Sequence, residues 1–219
     1  MRNQFYWDSR DVSKWSVIAQ LAISHQVSAV LQVAMFRPDR PGGQGSTRHD
    51  PAHCHPAVKA FFDTERASGV RDFRRVTRLP ECCGFRFKVE VVEDGFWGER
   101  FLPYRATYFQ RVTERLPTLA HPRLVLLDPD TGITAGRYPR PEHVGVKELG
   151  IIYDRLVCGD VLLVYQHKPM FTKKDAQWWL RAQGLLQNAT AGSTSLQSFV
   201  DDDVAFIAAV RRREYARSH

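Results

Sequence analysis

Cysteine is scarce in this sequence, and the few cysteines present form no structural pattern. Four occur among 219 residues, at Cys54, Cys82, Cys83 and Cys158. They are scattered, and the adjacent pair at 82–83 does not suit the disulfide framework of a small secreted domain. We therefore expect four reduced thiols.

Long hydrophobic runs are also missing. The longest apolar stretches have the length of a β-strand, which is too short to cross a membrane. The N-terminal residues MRNQFYWDSRD contain no apolar stretch typical of a secretion signal. Internal repeats and low-complexity tracts are absent as well. We expect a cytoplasmic protein that has no membrane partner.

Acidic residues are outnumbered by basic ones. The 31 lysines and arginines against 24 acidic residues give a formal net charge of +7. Such a balance suits a polyanionic partner, and arginines cluster in RDFRR (71–75) and RRREYAR (211–217). The planar arginine side chain matches the geometry of a phosphate. We predict nucleic acid or a nucleotide as the partner; the alternative is a merely basic soluble protein.

Strand-sized apolar sequence, by contrast, is abundant. Nearly continuous apolar runs predict strands buried on both faces, at 29–36, 124–128 and 160–167, and a further late strand is predicted at 204–210. Amphipathic or capped segments predict helices at 11–25, 56–69, 104–116, 142–159 and 173–186. This alternation predicts a three-layer, Rossmann-like α/β fold with a mostly parallel sheet flanked by helices. The length and the 43% hydrophobic content suit a single domain over residues 1–219.

Two carboxylates follow one of these strands directly. Asp128, Pro129 and Asp130 come after LVLL, and open α/β sheets bind ligands outside the carboxyl ends of their strands. Asp128 and Asp130 are therefore candidate catalytic residues, because a carboxylate there can hold a divalent cation, orient an amino group or act as a base. The alternative is that Asp-Pro-Asp-Thr-Gly forms only a turn. The run DDD at 201–203 is expected to form a solvated turn.

A second group of polar residues precedes the first helix, in YWDSRDVSKW (6–15). Lys14 is a further candidate catalytic residue, because it can meet a phosphate or a carboxylate. The alternative is structural: Asp8 or Ser9 caps the helix, and Asp11 and Lys14, three residues apart, form an ordinary ion pair. The candidate substrate-binding residues of this group are Tyr6, which can stack on a base, Asp8, Arg10 and Asp11.

Gln166 and His167 leave a buried strand at its carboxyl end. If that strand neighbours the one before Asp128, His167 reaches the Asp128 turn and supplies a group that titrates near neutral pH. His167 is therefore a candidate catalytic residue and Gln166 a candidate substrate-binding residue. The alternative is that the histidine satisfies a neighbouring carbonyl.

The segment RHDPAHCHP (48–56) is rich in residue types that bind metals. Its two histidines and cysteine at 53–55 are too close in sequence to chelate zinc together. We therefore predict no metal-ligating residue in this segment.

In their order, these motifs resemble the adenine-N6 methyltransferase family that modifies large-subunit ribosomal RNA. The matching parts are DVSKWSVI (11–18), the loop PGGQG (41–45), LVLLDPD (124–130) and VLLVYQH (161–167). They stand where the family has an Asp-x-x-Lys-His helix start, a loop for S-adenosylmethionine and an Asp-Pro-Pro-Tyr motif. The resemblance covers most of the chain and implies a methyltransferase-like fold with Asp128 at the reaction centre. It also implies cofactor-binding residues Gly42, Gly43 and Gly45.

The sequence departs from that family at its motif. Asp128-Pro129-Asp130-Thr131 replaces Asp-Pro-Pro-Tyr, so the aromatic residue that stacks on the target base is missing. A closer resemblance is to an uncharacterised bacterial and phage family that combines an Asp–Lys segment, Leu-Asp-Pro-Asp-Asn/Thr-Gly and a strand ending in Tyr-Gln-His. That second resemblance implies no activity.

Three functions remain as hypotheses, with an enzyme favoured over a binding domain. The first is a methyltransferase-like enzyme that acts on nucleic acid or a nucleotide with S-adenosylmethionine. The second is a metal-dependent nuclease or phosphodiesterase in which Asp128 and Asp130 hold Mg²⁺. The third is a non-catalytic domain that binds nucleic acid or protein.

Overall fold

A computed structural model gives the fold of most of the chain. It describes residues 2–39, 51–96, 101–136, 139–169, 176–191 and 194–212, and for residues 101–103 it describes the backbone only. Within these ranges, no helix has both the length and the apolar character needed to cross a membrane.

Six strands form one mixed sheet in the order β2-β1-β3-β6-β8-β7. β1, β2, β3 and β6 are parallel, whereas β8 runs antiparallel to both of its neighbours. The chain leaves β1 for β2 on one side and returns to place β3 on the other side, so the direction of winding reverses between β1 and β3. The strands are β1 Ala29–Val33, β2 Lys88–Val92, β3 Arg123–Leu127, β6 Val161–His167, β7 Thr194–Val200 and β8 Val204–Arg211.

Helices cover both faces of this sheet, which confirms the predicted three-layer, Rossmann-like α/β fold. Apolar side chains of α1, α2 and α3 pack on one face, and those of α4, α5 and α6 pack on the other. The helices are α1 Ser9–Ser24, α2 Pro56–Ser68, α3 Leu79–Cys83, α4 Phe101–Arg115, α5 Val146–Tyr153 and α6 Leu180–Ala189.

Helix α1 forms because its capping residue and its apolar stripe agree. Asp8 is the N-cap, and its side chain accepts a hydrogen bond from the Asp11 backbone N–H at 3.0 Å. The predicted stripe of Val12, Trp15 and Ile18, which continues through Leu21 and Ala22, is buried against the sheet. This packing fixes the direction of the first helical turn, which carries Asp11 and Lys14 toward the strand ends.

The prediction of one helix over 142–159 is wrong. A short strand, β5 (His143–Gly145), pairs with β4 (Gly132–Thr134), and helix α5 begins only after it. The Gly145 backbone N–H donates to Glu148 Oε2 at 2.7 Å, which caps the start of α5. The chain that follows Asp130 therefore forms a small two-stranded sheet, β4–β5, along the carboxyl edge of the main sheet.

Strands β2 and β7 were not among the predicted strands. Both are edge strands, β2 at one end of the sheet and β7 at the other. Their residues alternate between buried and exposed or are half-buried throughout, so they lack the continuous apolar runs of central strands.

Candidate functional site

A cleft of about 870 Å³ opens outside the carboxyl ends of β3 and β6. It lies beside the point where the winding reverses between β1 and β3, which is where ligands bind in open α/β sheets. Its volume is near the upper end of the range found for small-molecule sites. The predicted residues that line it are Asp8, Arg10, Asp11, Lys14, Asp128, Asp130, Gln166 and His167.

A buried ion cluster centred on Lys14 forms the floor of the cleft. Lys14 Nζ lies 2.8 Å from Asp11 Oδ1 and 2.8 Å from Asp128 Oδ2. Gln32 Nε2 donates to the same Asp128 oxygen at 2.9 Å. Burial alone would lower the pKa of Lys14, but the two carboxylates raise it above its ordinary value. Lys14 is therefore a fixed positive charge that holds Asp128 in one orientation.

Asp8 differs from the other carboxylates of the floor because no cation lies close to it. Among the described residues, the nearest is Arg10, whose Nη1 is 4.0 Å from Asp8 Oδ2. Burial and the neighbouring Asp11 raise the pKa of Asp8 to about 7, against the opposing effect of Arg10 and Lys14. Asp8 therefore changes its charge close to neutral pH.

Tyr165 is a second polar group beside Asp8. Its ring is buried, with Lys14 Nζ 5.9 Å from the ring centroid. Burial, together with Asp8 and Asp128, raises the pKa of the phenol. Tyr165 lines the cleft as a protonated hydroxyl.

Asp201 and Asp203, in the turn between β7 and β8, anchor the N-terminal half of α1, so the expectation of a solvated DDD turn is wrong. Asp201 is buried and accepts hydrogen bonds from Ser13 Oγ and from the Ala52 backbone N–H. The Asp203 carboxylate accepts hydrogen bonds from both Nε and Nη2 of Arg10, and Arg10 Nε lies 3.1 Å from Asp203 Oδ2. Arg10 is thereby positioned at the side of the cleft.

Asp130 belongs to a different cluster from Asp128. Arg37 Nη1 lies 2.9 Å from Asp130 Oδ2, and Arg2 Nε lies 3.5 Å from the same oxygen. Burial would raise the pKa of Asp130, but the positive charges around it, including Arg37 and Arg2, hold it below its ordinary value. The turn around Pro129 therefore directs the two carboxylates to separate cationic partners.

The separation of these two carboxylates is relevant to the hypothesis that they hold Mg²⁺ together. Asp128 is engaged by Lys14 and Asp130 by arginines, so the pair forms no shared oxygen cage of the kind that Mg²⁺ requires. In the part of the chain that the structure describes, no group of three or more His, Cys, Asp or Glu side chains could hold a metal ion. The hypothesis of a metal held by Asp128 and Asp130 therefore receives no support.

Gln166 and His167 lie at the carboxyl end of β6, as expected, but neither ring nor amide bonds to Asp128. Gln166 Oε1 accepts the Ile133 N–H at 2.9 Å, and Nε2 donates to the Thr131 carbonyl at 3.0 Å. Only the backbone of His167 reaches the Asp128 turn, since its N–H donates to the Thr131 carbonyl. Its ring lies against the Lys168 carbonyl and, at 3.9 Å, Asp203.

The interpretation of Tyr6 as a stacking platform is wrong, because the side chain is only 1% exposed. Its ring packs against Trp7 and Phe62, and its hydroxyl donates to Glu65 at 3.4 Å. Tyr6 is therefore a core residue that attaches the N-terminal segment to α2.

The arginine run at 71–75 is largely used within the fold. Arg74 pairs with Asp72 at 2.7 Å, Arg75 pairs with the buried Glu65, and Arg71 donates to the backbone of the N-terminal segment. These pairs leave less positive charge for a phosphate backbone than the sequence indicates.

The predicted cofactor residues Gly42, Gly43 and Gly45 lie outside the described residues. The described chain before them shows how the end of β1 continues. The Phe36 carbonyl accepts the Phe96 N–H at 2.8 Å, and the Phe36 ring stacks on Phe73 at 5.1 Å. The segments that follow β1 and β2 therefore run side by side beyond the sheet.

Gln32, Arg37 and Tyr165 are described residues of the site that were not among the candidates. Gln32 had a signal, because it is the only polar residue in the apolar run AVLQVAMF (29–36). Arg37 follows the same run, but its partner Asp130 is far away in sequence. Tyr165 carries no signal, since a tyrosine in a buried strand is ordinary core.

Gly132 is required where β4 passes over Gln166. Its φ is +123°, and an added Cβ would lie 2.2 Å from Gln166 Oε1. Gly132→Ala is expected to lower the free energy of unfolding by about 1–3 kcal/mol, because the alanine is strained and the bonded amide must move. Gly136→Ala is the matched control, since its Cβ would lie an ordinary 3.5 Å from Thr134 Oγ1. Urea denaturation of the two variants checks this, and equal effects would contradict it.

Comparisons with known proteins give structural likeness but no family. No family model matches the chain, and no curated protein matches it. A release-factor-specific protein-(glutamine-N5) methyltransferase from Alicyclobacillus acidocaldarius is similar at TM-score 0.40 and 10% identity, over 90% of this chain and 93% of that one. The O-methyltransferase TomG from Streptomyces achromogenes is similar at TM-score 0.39 and 14% identity, over 90% of this chain and 79% of that one. Human N-acetylserotonin methyltransferase is similar at TM-score 0.37 and 14% identity, over 91% of this chain and 53% of that one. Likeness at these scores carries no conclusion about reaction or substrate.

Proposed function

We propose that the chain is an S-adenosylmethionine-dependent methyltransferase whose acceptor is a nucleotide, free or within a nucleic acid. The observation that carries this proposal is the buried cluster of Asp11, Lys14 and Asp128 on the floor of the cleft. Open α/β sheets bind nucleotide-like ligands at this point of reversal. A cluster of charges taken out of water there is costly, which favours a functional explanation over a structural one.

The cleft suits a cationic methyl donor. Asp8, Asp11 and Asp128 all line it, together with Lys14, which lies 2.8 Å from both Asp11 and Asp128, and Arg10, which lies 4.0 Å from Asp8. S-adenosylmethionine carries two positive groups, a sulfonium and an amine, so the donor set fits it. When bound, it would supply an electrophilic methyl group. The floor of the cleft would hold this donor.

The mouth of the cleft suits an anionic acceptor. Lys168 and Arg181 line it, and neither side chain has a carboxylate within salt-bridge distance among the described residues. Arg10 and Arg37 line the same opening. Phosphate groups of a nucleotide are natural partners for such side chains. Within this arrangement, Asp128 orients the acceptor, while Lys14 and Gln32 hold the carboxylate in place.

Calorimetric titration and methyl transfer test the proposal together. We expect saturable binding of S-adenosylmethionine and transfer of its labelled methyl group to total RNA or to nucleoside monophosphates. Asp128→Asn should lower the transfer rate about 100-fold or more, because a preorganised charge is lost. Asp160→Asn is the matched control: Asp160 is equally buried and paired with Arg123 at 2.9 Å, but it precedes β6 at the amino edge of the sheet. Its transfer rate, measured where circular dichroism shows it folded, should stay within about threefold of wild type, since it lies outside the cleft.

Other results would point elsewhere. Binding of RNA without binding of S-adenosylmethionine would favour the non-catalytic hypothesis. RNA cleavage that EDTA abolishes would favour the hydrolase. Equal losses of transfer in Asp128→Asn and Asp160→Asn would show that the cluster at the floor of the cleft has no special role.

A further inference from the structure

We propose that Asp8 accepts the proton that the acceptor atom loses during methyl transfer, and that this atom is a hydroxyl oxygen or a ring N–H nitrogen. The inference rests on the proposed function and specifies its acceptor. The bond from the methyl carbon to the acceptor atom forms while the carbon–sulfur bond of the donor breaks. The electron pair of that bond stays on sulfur, and the proton passes to a carboxylate oxygen of Asp8.

The position of Asp8 suits this role. Asp8 lines the cleft at the N-cap of α1, six residues before Lys14. Its Oδ1 accepts the Asp11 backbone N–H at 3.0 Å, which fixes the side chain. Its Oδ2 lies 4.0 Å from Arg10 Nη1, beyond hydrogen-bond distance. One oxygen therefore holds the helix, while the other has no hydrogen bond to a described residue and can receive a proton.

The neighbouring aspartates are held by close cations, whereas Asp8 is not. Asp11 and Asp128 each lie 2.8 Å from Lys14 Nζ, and Asp130 lies 2.9 Å from Arg37. Asp203 is held by both Nε and Nη2 of Arg10. Burial raises the pKa of Asp11 even beside Lys14, but both of its oxygens are engaged, because Oδ2 also accepts the Trp7 backbone N–H at 3.0 Å. Among the described aspartates lining this cleft, Asp8 alone has no cation within 3 Å.

The charges that face Asp8 come from every element packed around it. They are Arg10, Asp11 and Lys14 of α1, Asp128 after β3, Tyr165 of β6, and Asp203 before β8 through its pair with Arg10. Burial and Asp11 raise the pKa of Asp8 to about 7, against the opposing effect of Arg10 and Lys14. A general base is most effective when its pKa lies near the working pH.

The need for a base limits which atom of the nucleotide can accept the methyl group. A hydroxyl or a ring N–H becomes a strong nucleophile only as its proton is removed, so a base beside it accelerates attack. An exocyclic amino group gains less, because its nitrogen attacks before the proton leaves. The structure therefore assigns the acceptor to the 2′-hydroxyl or to a ring N–H of uracil or guanine, and not to the amino group that the sequence resemblance implies.

Carboxyl-carbon NMR tests the base directly, without any substrate. In wild-type protein, the Asp8 resonance should titrate with a midpoint near pH 7, and it should be absent from Asp8→Asn. Asparagine caps helices as well as aspartate does, so this variant removes the charge and keeps the cap. An Asp8 resonance that titrates below pH 5, near the ordinary aspartate range, would overturn the proposal.

Transfer kinetics test the step itself, with total RNA as the acceptor and S-adenosylmethionine as the donor. The wild-type rate should rise with pH and level off above about 7, as expected for a general base with that pKa. At saturating S-adenosylmethionine, Asp8→Asn should lose about 100-fold or more of the rate and its pH dependence. Asp8→Glu should recover part of both, because it restores a carboxylate.

The methylated product separates this proposal from the proposed function. Digestion of the RNA and mass spectrometry should give 2′-O-methyl or ring-N-methyl nucleosides. Methyl groups on amino nitrogens, or a full rate in Asp8→Asn, would overturn the role of Asp8 and leave the methyltransferase intact. If S-adenosylmethionine neither binds nor reacts, both proposals fail.

Discussion

Lys14→Met is expected to lower the free energy of unfolding by about 3–5 kcal/mol at pH 8, the usual effect of removing one partner from a buried ion pair. The variant leaves Asp11 and Asp128 buried, with the charge that Lys14 neutralised now uncompensated. Methionine fills a similar volume, so the loss reflects charge more than packing. Urea denaturation followed by circular dichroism measures it.

Two controls isolate the electrostatic origin of this loss. Lys59→Met removes a lysine that pairs with Asp63 at 2.7 Å, but both side chains are exposed, so we expect a change below about 1 kcal/mol. In the Lys14→Met background, adding Asp128→Asn should recover part of the lost stability, because it removes one of the two stranded charges. A Lys14→Met variant as stable as wild type would contradict the ion cluster.

Asp8→Asn is expected to raise the free energy of unfolding by about 2–4 kcal/mol at pH 8, from a difference of roughly three pKa units between the folded and unfolded states. The pKa of Asp8 is about 7 in the folded protein and near 4 in an unfolded chain. Between these values, the folded state keeps a proton that the unfolded state has released. Wild-type stability from this group therefore falls as the pH rises from about 4 to 7, and it is level above.

The pH dependence makes this prediction specific. The asparagine variant has no such loss, so its advantage over wild type should be largest above pH 7 and should disappear near pH 4. Urea midpoints measured from pH 4 to pH 9 check this, with Asp63→Asn as an exposed control of the same chemistry. A variant that is less stable than wild type at pH 8, or an advantage that does not change with pH, would contradict the raised pKa. Stability gained by removing Asp8, together with lost transfer, is what a functional charge predicts.

The sequence by itself determined the central part of the fold. The strands at the middle of the sheet, β1, β3, β6 and β8, are buried on both faces and therefore appear as continuous apolar runs. The edge strands β2 and β7 were missed, because half of each strand faces solvent or loops and its sequence carries no such run. The start of α1 also followed from sequence, since a cap acts within one turn of chain, but only the structure chose Asp8 over Ser9 as the cap.

The sequence predicted where the candidate site lies, but not which side chains bond to one another within it. Asp128 lies at the carboxyl edge of the sheet, as expected, because strand direction follows from the alternation of helices and parallel strands. Its bond to Lys14 joins residues 114 positions apart, and that of Arg10 to Asp203 joins residues 193 apart. Local propensity has no information about such partners.

Only the tertiary structure decided which residues of each motif face the cleft. In the folded chain, the Tyr6 side chain is buried in the core, and Asp128 and Asp130 bind different cations. The tertiary structure also left Asp8 as the buried carboxylate whose nearest cation in the described chain is 4.0 Å away. The chemistry of an ionisable group is set by burial and by charges a few ångströms distant. Those neighbours come from α1, β1, β3 and β6, and folding alone brings them together.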